Sequence, residues 1–145
     1  MEQAKAYSQM KTIEVVAAII IRNGQVFATR RGYGEWKGWW EFPGGKVEDG
    51  ETDEQSIIRE FEEEFGVKVS VDKKIAEATF KHNGDDFSLH AYLIHLPHDG
   101  MTEKFALTEH TEYRWAELAE IPTLNFVDSD LLIYPQICKF LADSL

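Results

Sequence analysis

The chain has few of the features that hold a protein together other than a hydrophobic core. Its only cysteine is Cys138, so it can form neither an intramolecular disulfide framework nor a thiolate zinc site. No apolar run is long enough to cross a bilayer. The first residues, MEQAKAYSQMKTIE, lack the apolar core of a signal peptide. We therefore expect a soluble, cytoplasmic protein with no membrane partner.

Positive charge is also scarce. There are 15 Lys and Arg against 26 Asp and Glu, for a formal net charge of −11. Proteins that bind nucleic-acid polymers present basic stripes to the phosphate backbone, and no such stripe is found in this sequence. A small phosphorylated ligand remains compatible with this charge, because divalent cations can bridge acidic side chains to phosphate oxygens. The charge thus excludes one class of partner and leaves nucleotides open.

The remaining composition is that of a globular protein. Apolar residues make up 43% of the chain, with nine Phe, five Tyr and four Trp among its 145 residues. That length suits a single domain, 1–145, with its own core. Residues 1–11 are expected to form a flexible N-terminal tail. The oligomeric state, monomer or homodimer, stays open.

Apolar patterning predicts the strands. Residues 13–21 (IEVVAAIII) are typical of a strand buried on both faces. Asn23-Gly24 predicts a hairpin to a return strand at 25–30. Further strands are predicted at 67–71, 74–81, 87–96 and 113–115, with a turn at 82–86. A C-terminal helix is predicted from Asp128 or Ser129 to about Leu141. This order of elements predicts an α+β fold with a mixed sheet.

Residues 52–66 carry the start and stop signals of a helix. Thr52 and Gln55 form a capping-box pair, and Gly66 stands where a C-cap glycine belongs. Asp53 and Glu54 fall in the first turn, where the helix dipole favours acids. One face of the helix is apolar and is formed by Ile57, Ile58, Phe61 and Phe65.

Three carboxylates crowd one side of this helix. At about 100° per residue, Glu60, Glu63 and Glu64 fall within an arc of about 100° beside the apolar face. Adjacent acids repel one another, so such a cluster either faces solvent or is neutralised by metal. Its position at the border of the buried face favours a metal site over a solvated surface.

A loop rich in glycine and aromatic residues, 32–40 (GYGEWKGWW), follows the first hairpin. Loops of this composition commonly line ligand sites. The alternative is a plain connector whose aromatic side chains pack on the core.

The helix and the glycines before it resemble a known motif. Gly45, five residues, Glu51, seven residues and then 59–67 (REFEEEFGV) resemble an unbroken Nudix box, in which the position of Phe61 needs only to be apolar. Residues 40–46 (WEFPGGK), 107–110 (LTEH), Trp115 and 128–130 (DSD) are similar to the MutT-type branch of that family. The resemblance covers about 12–141.

The resemblance implies a Nudix-type α/β/α sandwich with a mixed β-sheet, one catalytic loop-helix and a C-terminal helix. It also implies a hydrolase that uses Mg²⁺ or Mn²⁺. The MutT-type branch cleaves nucleoside triphosphates to a nucleoside monophosphate and pyrophosphate, a nucleotide-pool function related to DNA repair. Its substrates include 8-oxo-dGTP, CTP and modified dCTP.

Two alternatives to this activity remain. One is a Nudix hydrolase of another nucleoside diphosphate derivative, such as a nucleotide sugar or a dinucleoside polyphosphate. The other is a non-catalytic module that senses nucleotides, whose mark would be the loss of the box acids, and none is lost here.

The resemblance also assigns roles to residues around the metal. Oxygen donors suit a hard cation, and the expected ligands are Glu60, Glu63, Glu64 and the backbone carbonyl of Gly44. Arg59, together with Glu51, is expected to orient these carboxylates. Glu60 and Glu109 are rival candidates for the base that deprotonates the attacking water, and His110 is expected to brace the loop around Glu109.

Substrate-binding residues follow from the same resemblance. Arg31, Lys46 and, with less support, Arg30 are candidates to hold phosphates. Phe42 is expected to form an aromatic wall, and Asp130 to read the base. The alternative for Asp130 is a helix-cap or first-turn acid. Asp85-Asp86 stand where bacterial 8-oxo-dGTP enzymes have an Arg, which leaves room for a cytosine-type base. The sequence does not decide the preferred base or sugar, or the number of metal ions.

Overall fold

The computed structural model describes residues 12–97 and 109–144. The predicted N-terminal tail, 1–11, lies outside this part of the chain. The strands are β1 (Ile13–Ile19), β2 (Ile21–Arg22), β3 (Gln25–Arg31), β4 (Trp40–Glu41), β5 (Gly44–Lys46), β6 (Ser70–His82), β7 (Asp85–His95) and β8 (His110–Glu117). The helices are α1 (Asp53–Phe65), a 3₁₀ helix (Leu118–Thr123), α2 (Asp128–Leu131) and α3 (Tyr134–Asp143).

The strands form two sheets. The first has the order β5-β1-β7-β6, and the second has the order β2-β3-β4 with β8 also paired to β3. β1 and β7 run parallel, whereas the other pairs are antiparallel. The predicted α+β fold with a mixed sheet is therefore confirmed. None of the described helices has the length and apolar content needed to cross a membrane.

β1 is buried on both faces, as its apolar sequence predicts. Val16 and Ala18 belong to the apolar cluster beneath α1, together with Phe61. The alternate residues Ala17 and Ile19 belong to a second cluster, which includes side chains of the C-terminal helical region. Because successive residues of a strand point to opposite faces, β1 separates a layer containing α1 from one containing α3.

Both hairpins turn on an Asn-Gly pair. Asn23 and Gly24 have φ angles of 53° and 76°, and Asn83 and Gly84 have 51° and 83°. Two successive positive φ angles are those of a type I′ turn, whose twist matches that of the flanking strands. The second turn is shorter than the predicted 82–86, because His82 and Asp85 already pair across the strands.

Three sequence predictions of elements need correction. The strand predicted at 13–21 ends at Ile19, and Ile21 belongs to β2 in the other sheet. The strand predicted at 67–71 begins only at Ser70, and Val67 and Val69 are instead buried beneath α1 in irregular backbone. The single C-terminal helix is divided into α2 and α3. Pro135 lies in the first turn of α3, where its missing N–H is tolerated, but a continuous helix would need that N–H.

Candidate active site

A cavity of about 560 Å³ lies beside β1. Its walls come from the glycine-rich loop, from 41–46, from the β6–β7 hairpin and from 127–132. All four predicted substrate-binding residues line it, namely Arg31, Phe42, Lys46 and Asp130. A narrow cleft bounded by Glu60 and Glu64 shares Gly44, Glu109 and His110 with the cavity. Two of the predicted α1 carboxylates therefore line a cleft that adjoins the cavity.

α1 begins and ends where its sequence predicts. The Gln55 amide donates to Thr52 Oγ1 (3.1 Å), and the Thr52 amide donates to Gln55 Oε1 (3.0 Å), which completes the capping box. Gly66 has a φ of 70°, and its N–H donates to the Glu62 carbonyl. Ile57, Phe61 and Phe65 are almost fully buried. These contacts fix the rotation of α1 about its axis and therefore the direction of its acids.

Arg59 gathers the acids on the outer side of α1. Its Nε and Nη2 donate to the two Glu51 oxygens at 2.6 and 3.0 Å. Its Nη1 lies 3.1 Å from Glu60 Oε1 and 3.3 Å from Glu63 Oε2. The hydrogen bonds from Arg59 and from the Glu48 amide lower the pKa of Glu51 to about 2. The predicted contacts of Arg59 with Glu51 and the box acids are thus present.

The three predicted metal ligands differ in exposure. The side chains of Glu64, Glu60 and Glu63 are 8%, 25% and 64% exposed, respectively. All three acids were predicted to lie at the border of the buried face. Glu60 and Glu64 do so, while Glu63 lies on the solvent side of α1. Burial, opposed by Arg59, raises the pKa of Glu60.

Gly45 makes room for the Glu60 carboxylate. A Cβ added at Gly45 would lie 2.6 Å from the carboxyl carbon of Glu60. Since real Cβ atoms do not approach other atoms so closely, any larger residue at this position would displace the carboxylate. The glycine of the motif therefore creates the space in which the Glu60 carboxylate lies against β5.

Glu64 is held by the start of β8. Its carboxylate accepts hydrogen bonds from the Glu109 and His110 amides at 2.8 to 3.1 Å and from His110 Nδ1 at 2.8 Å. His110 Nε2 lies 2.9 Å from Glu41 Oε2. Although burial lowers the pKa of His110, its hydrogen bonds to Glu41 and Glu64 outweigh that effect and raise it. The predicted bracing role of His110 thus extends to two carboxylates.

The oxygen atoms of these candidate ligands are of the type that binds a hard divalent cation. Carboxylates and a backbone carbonyl are the oxygen ligands that Mg²⁺ prefers, and Gly45 leaves the space beside Glu60 open. Within 12–97 and 109–144, no three His, Cys, Asp or Glu side chains already form a metal-binding cluster. Glu60 is instead paired with Arg59, and Glu64 with the start of β8.

The two candidate phosphate ligands of β3 differ in their surroundings. Arg31 lines the cavity, with its Nε 3.3 Å from Glu41 Oε2. Arg30 is instead paired with Glu112 at 2.8 Å and donates from Nε to the Gly38 carbonyl at 2.9 Å. Arg30 is not among the residues that line the cavity, whereas Arg31 is, so the geometry favours Arg31 of the two candidates.

Asp130 and Phe42 contact each other in the wall of the cavity. Asp130 Oδ2 accepts a hydrogen bond from the Phe42 amide at 2.9 Å, and both residues are buried. The Phe42 ring packs edge-on against Phe126, with ring centroids 4.9 Å apart. Val127, at the start of α2, has no side-chain cap, but Asp130 does lie in the first turn of this helix, as the alternative of a first-turn acid predicts. Burial and the nearby Glu41 raise the pKa of Asp130 to about 8.

The raised pKa of Asp130 predicts a pH-dependent stability. Its unfolded-state value is near 3.8, so the stability that protonated Asp130 contributes is fully present below that pH and is lost as pH rises through about 8. Between these limits, the wild type should lose up to about 1.4 kcal/mol per pH unit relative to Asp130→Asn. Urea unfolding of both proteins from pH 5 to 9 measures the difference, and parallel curves would contradict it.

Sequence reasoning missed an aromatic wall formed by the second hairpin. Phe80 and Phe87 are cross-strand partners in β6 and β7, and their rings stack with centroids 5.0 Å apart and planes at 6°. Both line the cavity, as do Lys81 and His82, whereas Asp85 and Asp86 do not. The strand periodicity of the hairpin could have identified this pair, but only the fold brings it to the cavity.

The glycine-rich loop lines the cavity instead of serving as a plain connector. Tyr33, Glu35 and Trp36 form part of its wall. Glu35 Oε2 lies 3.1 Å from His82 Nε2, which joins the loop to the second hairpin. Tyr33 is 56% exposed, and the negative charge of Glu109 raises the pKa of its phenol. The loop interpretation from composition is thus borne out by the geometry.

Comparison with known proteins places these features in a family. The NUDIX domain profile matches residues 11–137. The chain is 43% identical over 89 residues to CTP pyrophosphohydrolase of Escherichia coli K12, covering 61% of this chain and 64% of that protein. It is 42% identical over 62 residues to 8-oxo-dGTP diphosphatase of Proteus vulgaris, covering 41% and 55%, respectively. The aligned stretches thus span less than two thirds of either relative.

Similarity to a solved structure extends over nearly the whole chain. The solution structure of the E. coli ORF135 protein superposes with a TM-score of 0.80 at 31% sequence identity. The superposition covers 94% of this chain and 95% of that one. The predicted Nudix-type fold is therefore confirmed.

Proposed function

Because the chain belongs to the NUDIX domain family, we propose that it hydrolyses a nucleoside triphosphate to a nucleoside monophosphate and pyrophosphate. Nudix hydrolases act on small nucleotides and generally use divalent metals. The relatives named CTP pyrophosphohydrolase and 8-oxo-dGTP diphosphatase support a triphosphate substrate. The preferred cation is Mg²⁺, with Mn²⁺ as a substitute.

One observation carries this proposal. The cavity is lined by the buried, hydrogen-bonded pair of Asp130 and Phe42 and by the cations Arg31 and Lys46, and the narrow cleft that adjoins it is bounded by Glu60 and Glu64 of α1. A triphosphate needs a cationic environment for its phosphates and a partly apolar pocket for its base. The cavity offers both within one volume of about 560 Å³.

The residues around the narrow cleft and the adjoining cavity wall would supply the reacting groups. Glu60, Glu63, Glu64 and the Gly44 carbonyl would hold the cation, which when bound neutralises phosphate charge and lowers the pKa of water. Arg59 orients Glu60 and Glu63, and Arg31 and Lys46 bind phosphate oxygens. Glu60 or Glu109 accepts the proton of the attacking water.

The bonds exchanged are those of a phosphoanhydride hydrolysis. The water oxygen bonds to the β-phosphorus, and the bond from that phosphorus to the oxygen bridging the α- and β-phosphates breaks. The bridging oxygen leaves with the nucleoside monophosphate, and the β- and γ-phosphates leave as pyrophosphate. One proton of the water goes to the catalytic carboxylate and then to solvent, and the other stays with the water oxygen on the pyrophosphate.

The surroundings of Asp130 favour a nucleobase that can form a hydrogen bond with a buried carboxyl group. Asp130 is protonated at neutral pH because of its raised pKa, so it can donate as well as accept a hydrogen bond. Phe42 and the stacked pair of Phe80 and Phe87 offer aromatic surface. A cytosine-type base or an oxidised purine fits this description.

A substrate panel tests the proposal. Pyrophosphate release is measured from 8-oxo-dGTP, dCTP, 5-methyl-dCTP and CTP, with a nucleotide sugar as the competing substrate class, each with and without Mg²⁺. We expect Mg²⁺-dependent pyrophosphate from at least one triphosphate. Glu63→Gln should reduce its rate by at least the roughly tenfold that even an outer-shell partner of a metal costs.

Glu62→Gln is the matched control, since Glu62 is an exposed acid of the same helix that lines neither the cavity nor the narrow cleft and has no proposed role in cation binding. It should retain the wild-type rate. Turnover of the nucleotide sugar alone would favour the other Nudix substrate class. Tight nucleotide binding without any turnover would favour a sensing module.

A further inference from the structure

The first turn of α1 is bound to the sheet by a partly buried acid that the Nudix motif does not specify. Asp53 Oδ2 accepts one hydrogen bond from the Tyr92 hydroxyl and another from His90 Nδ1, both at 2.8 Å. The side chains of Asp53 and His90 are 17% and 19% exposed. His90 Nε2 in turn lies 3.1 Å from Ser88 Oγ. We call Asp53, His90 and Tyr92 the Asp53 anchor.

The anchor is more than a favourable charge at a helix N-terminus. Glu54 occupies the same turn and has the same favourable relation to the dipole. Glu54 is exposed, and in the described part of the chain it forms no hydrogen bond or ion pair with another side chain. Burial and the hydrogen bond to Asp53 raise the pKa of Tyr92, which keeps its hydroxyl protonated as a donor. Asp53 therefore has specific partners that its neighbour lacks.

The anchor and Glu64 hold opposite ends of α1. His90 and Tyr92 belong to β7, which is the parallel neighbour of β1 in the first sheet. Glu64, in the last turn, is bound by the start of β8 in the second sheet. Glu60 lies between these two attachments. A shift of the first turn would therefore move Glu60 relative to Gly44 and Gly45.

We propose that Asp53, His90 and Tyr92 are positioning residues that set the location of the α1 carboxylates relative to β5. This inference rests on the proposed function, because it assigns those carboxylates to cation binding. The anchor contacts neither the cavity nor the narrow cleft. It acts through the position of the helix and not through contact with the substrate.

The test compares Tyr92→Phe, Asp53→Asn and the double variant with Glu54→Gln as the matched control. The first readout is the Kd for Mn²⁺ in the absence of nucleotide, measured by electron paramagnetic resonance. The second is kcat and KM for the preferred triphosphate, well below the unfolding temperature. Tyr92→Phe removes only one hydroxyl group, so it tests the anchor even if Asp53→Asn fails to fold.

We expect Tyr92→Phe to weaken Mn²⁺ binding and lower kcat by about 10-fold, as outer-shell partners of metal sites do, with KM nearly unchanged. The effects of the two single changes should not add in the double variant, since both act on the contact between Asp53 and Tyr92. Glu54→Gln should match the wild type.

A lower Tm with unchanged Mn²⁺ Kd and kcat would overturn the proposal and leave the anchor a stabilising contact only. Absence of Mn²⁺ binding by the wild type would overturn it as well. If the wild type binds Mn²⁺ but hydrolyses no nucleotide, the proposed function fails, while the Mn²⁺ Kd still decides the role of the anchor.

Discussion

Glu60→Gln is expected to lower kcat by about 10²- to 10⁴-fold, the range of a lost general base. The amide keeps the size of the side chain and can still accept the hydrogen bond from Arg59 Nη1. It loses the negative charge and the basicity that the proposed reaction requires. Because the side chain is a quarter exposed, thermal unfolding should change little. Steady-state kinetics with Mg²⁺ at saturating nucleotide measures the effect.

The companion variant Glu109→Gln separates the two candidate bases. Glu109 lines both the cavity and the narrow cleft, whereas Glu60 is a proposed cation ligand as well. If Glu109 is the base, its variant should lose kcat while Mn²⁺ affinity is retained. A Glu60→Gln enzyme that retains kcat within about threefold of wild type would contradict both roles given to Glu60.

Gly44→Ala is expected to destabilise the protein by about 3 kcal/mol, the upper part of the usual range for overpacking. A Cβ at this position would overlap the backbone carbonyl oxygen of Val16, and it would also approach the Ala17 backbone. These atoms belong to the central strand β1, where Ala17 pairs with Gly44. Backbone at the centre of a sheet cannot move aside as a side chain can. Thermal unfolding should show Tm lower by roughly 10 °C.

Gly45→Ala is the informative comparison. Its Cβ would meet the Glu60 carboxylate, which is the far end of a flexible side chain. The carboxylate can rotate away, so Gly45→Ala should cost less stability than Gly44→Ala but should still lower kcat. Equal Tm values for the two variants would contradict this account of the paired glycines.

Local sequence signals correctly predicted α1 and the first hairpin. The capping box at Thr52 and Gln55 and the C-cap at Gly66 are decided by neighbours in sequence, so α1 could be placed from the sequence. The Asn-Gly pair at 23–24 likewise fixes its hairpin through its own backbone preference. The family motif then indicated Glu60, Glu63 and Glu64 as the candidate cation ligands of α1.

Contacts between distant segments could not be predicted in this way. The chain of Glu41, His110 and Glu64 joins three elements that are far apart in sequence. The two adjacent arginines Arg30 and Arg31 look equivalent in sequence, but only the pairing of Arg30 with Glu112 on β8 shows that one of them is used elsewhere. Apolar pattern also misled at 67–71, where burial beneath α1 produces the same alternation as a strand.

Hydrolysis of the preferred triphosphate in ¹⁸O-labelled water, with Mg²⁺ present, tests the central claim most directly. Attack at the β-phosphorus predicts that the products are a nucleoside monophosphate without label and pyrophosphate carrying one ¹⁸O, as measured by mass spectrometry. Label in the monophosphate would contradict the site of attack. A nucleoside diphosphate and orthophosphate as products, or no turnover of any triphosphate, would contradict the proposed pyrophosphohydrolase.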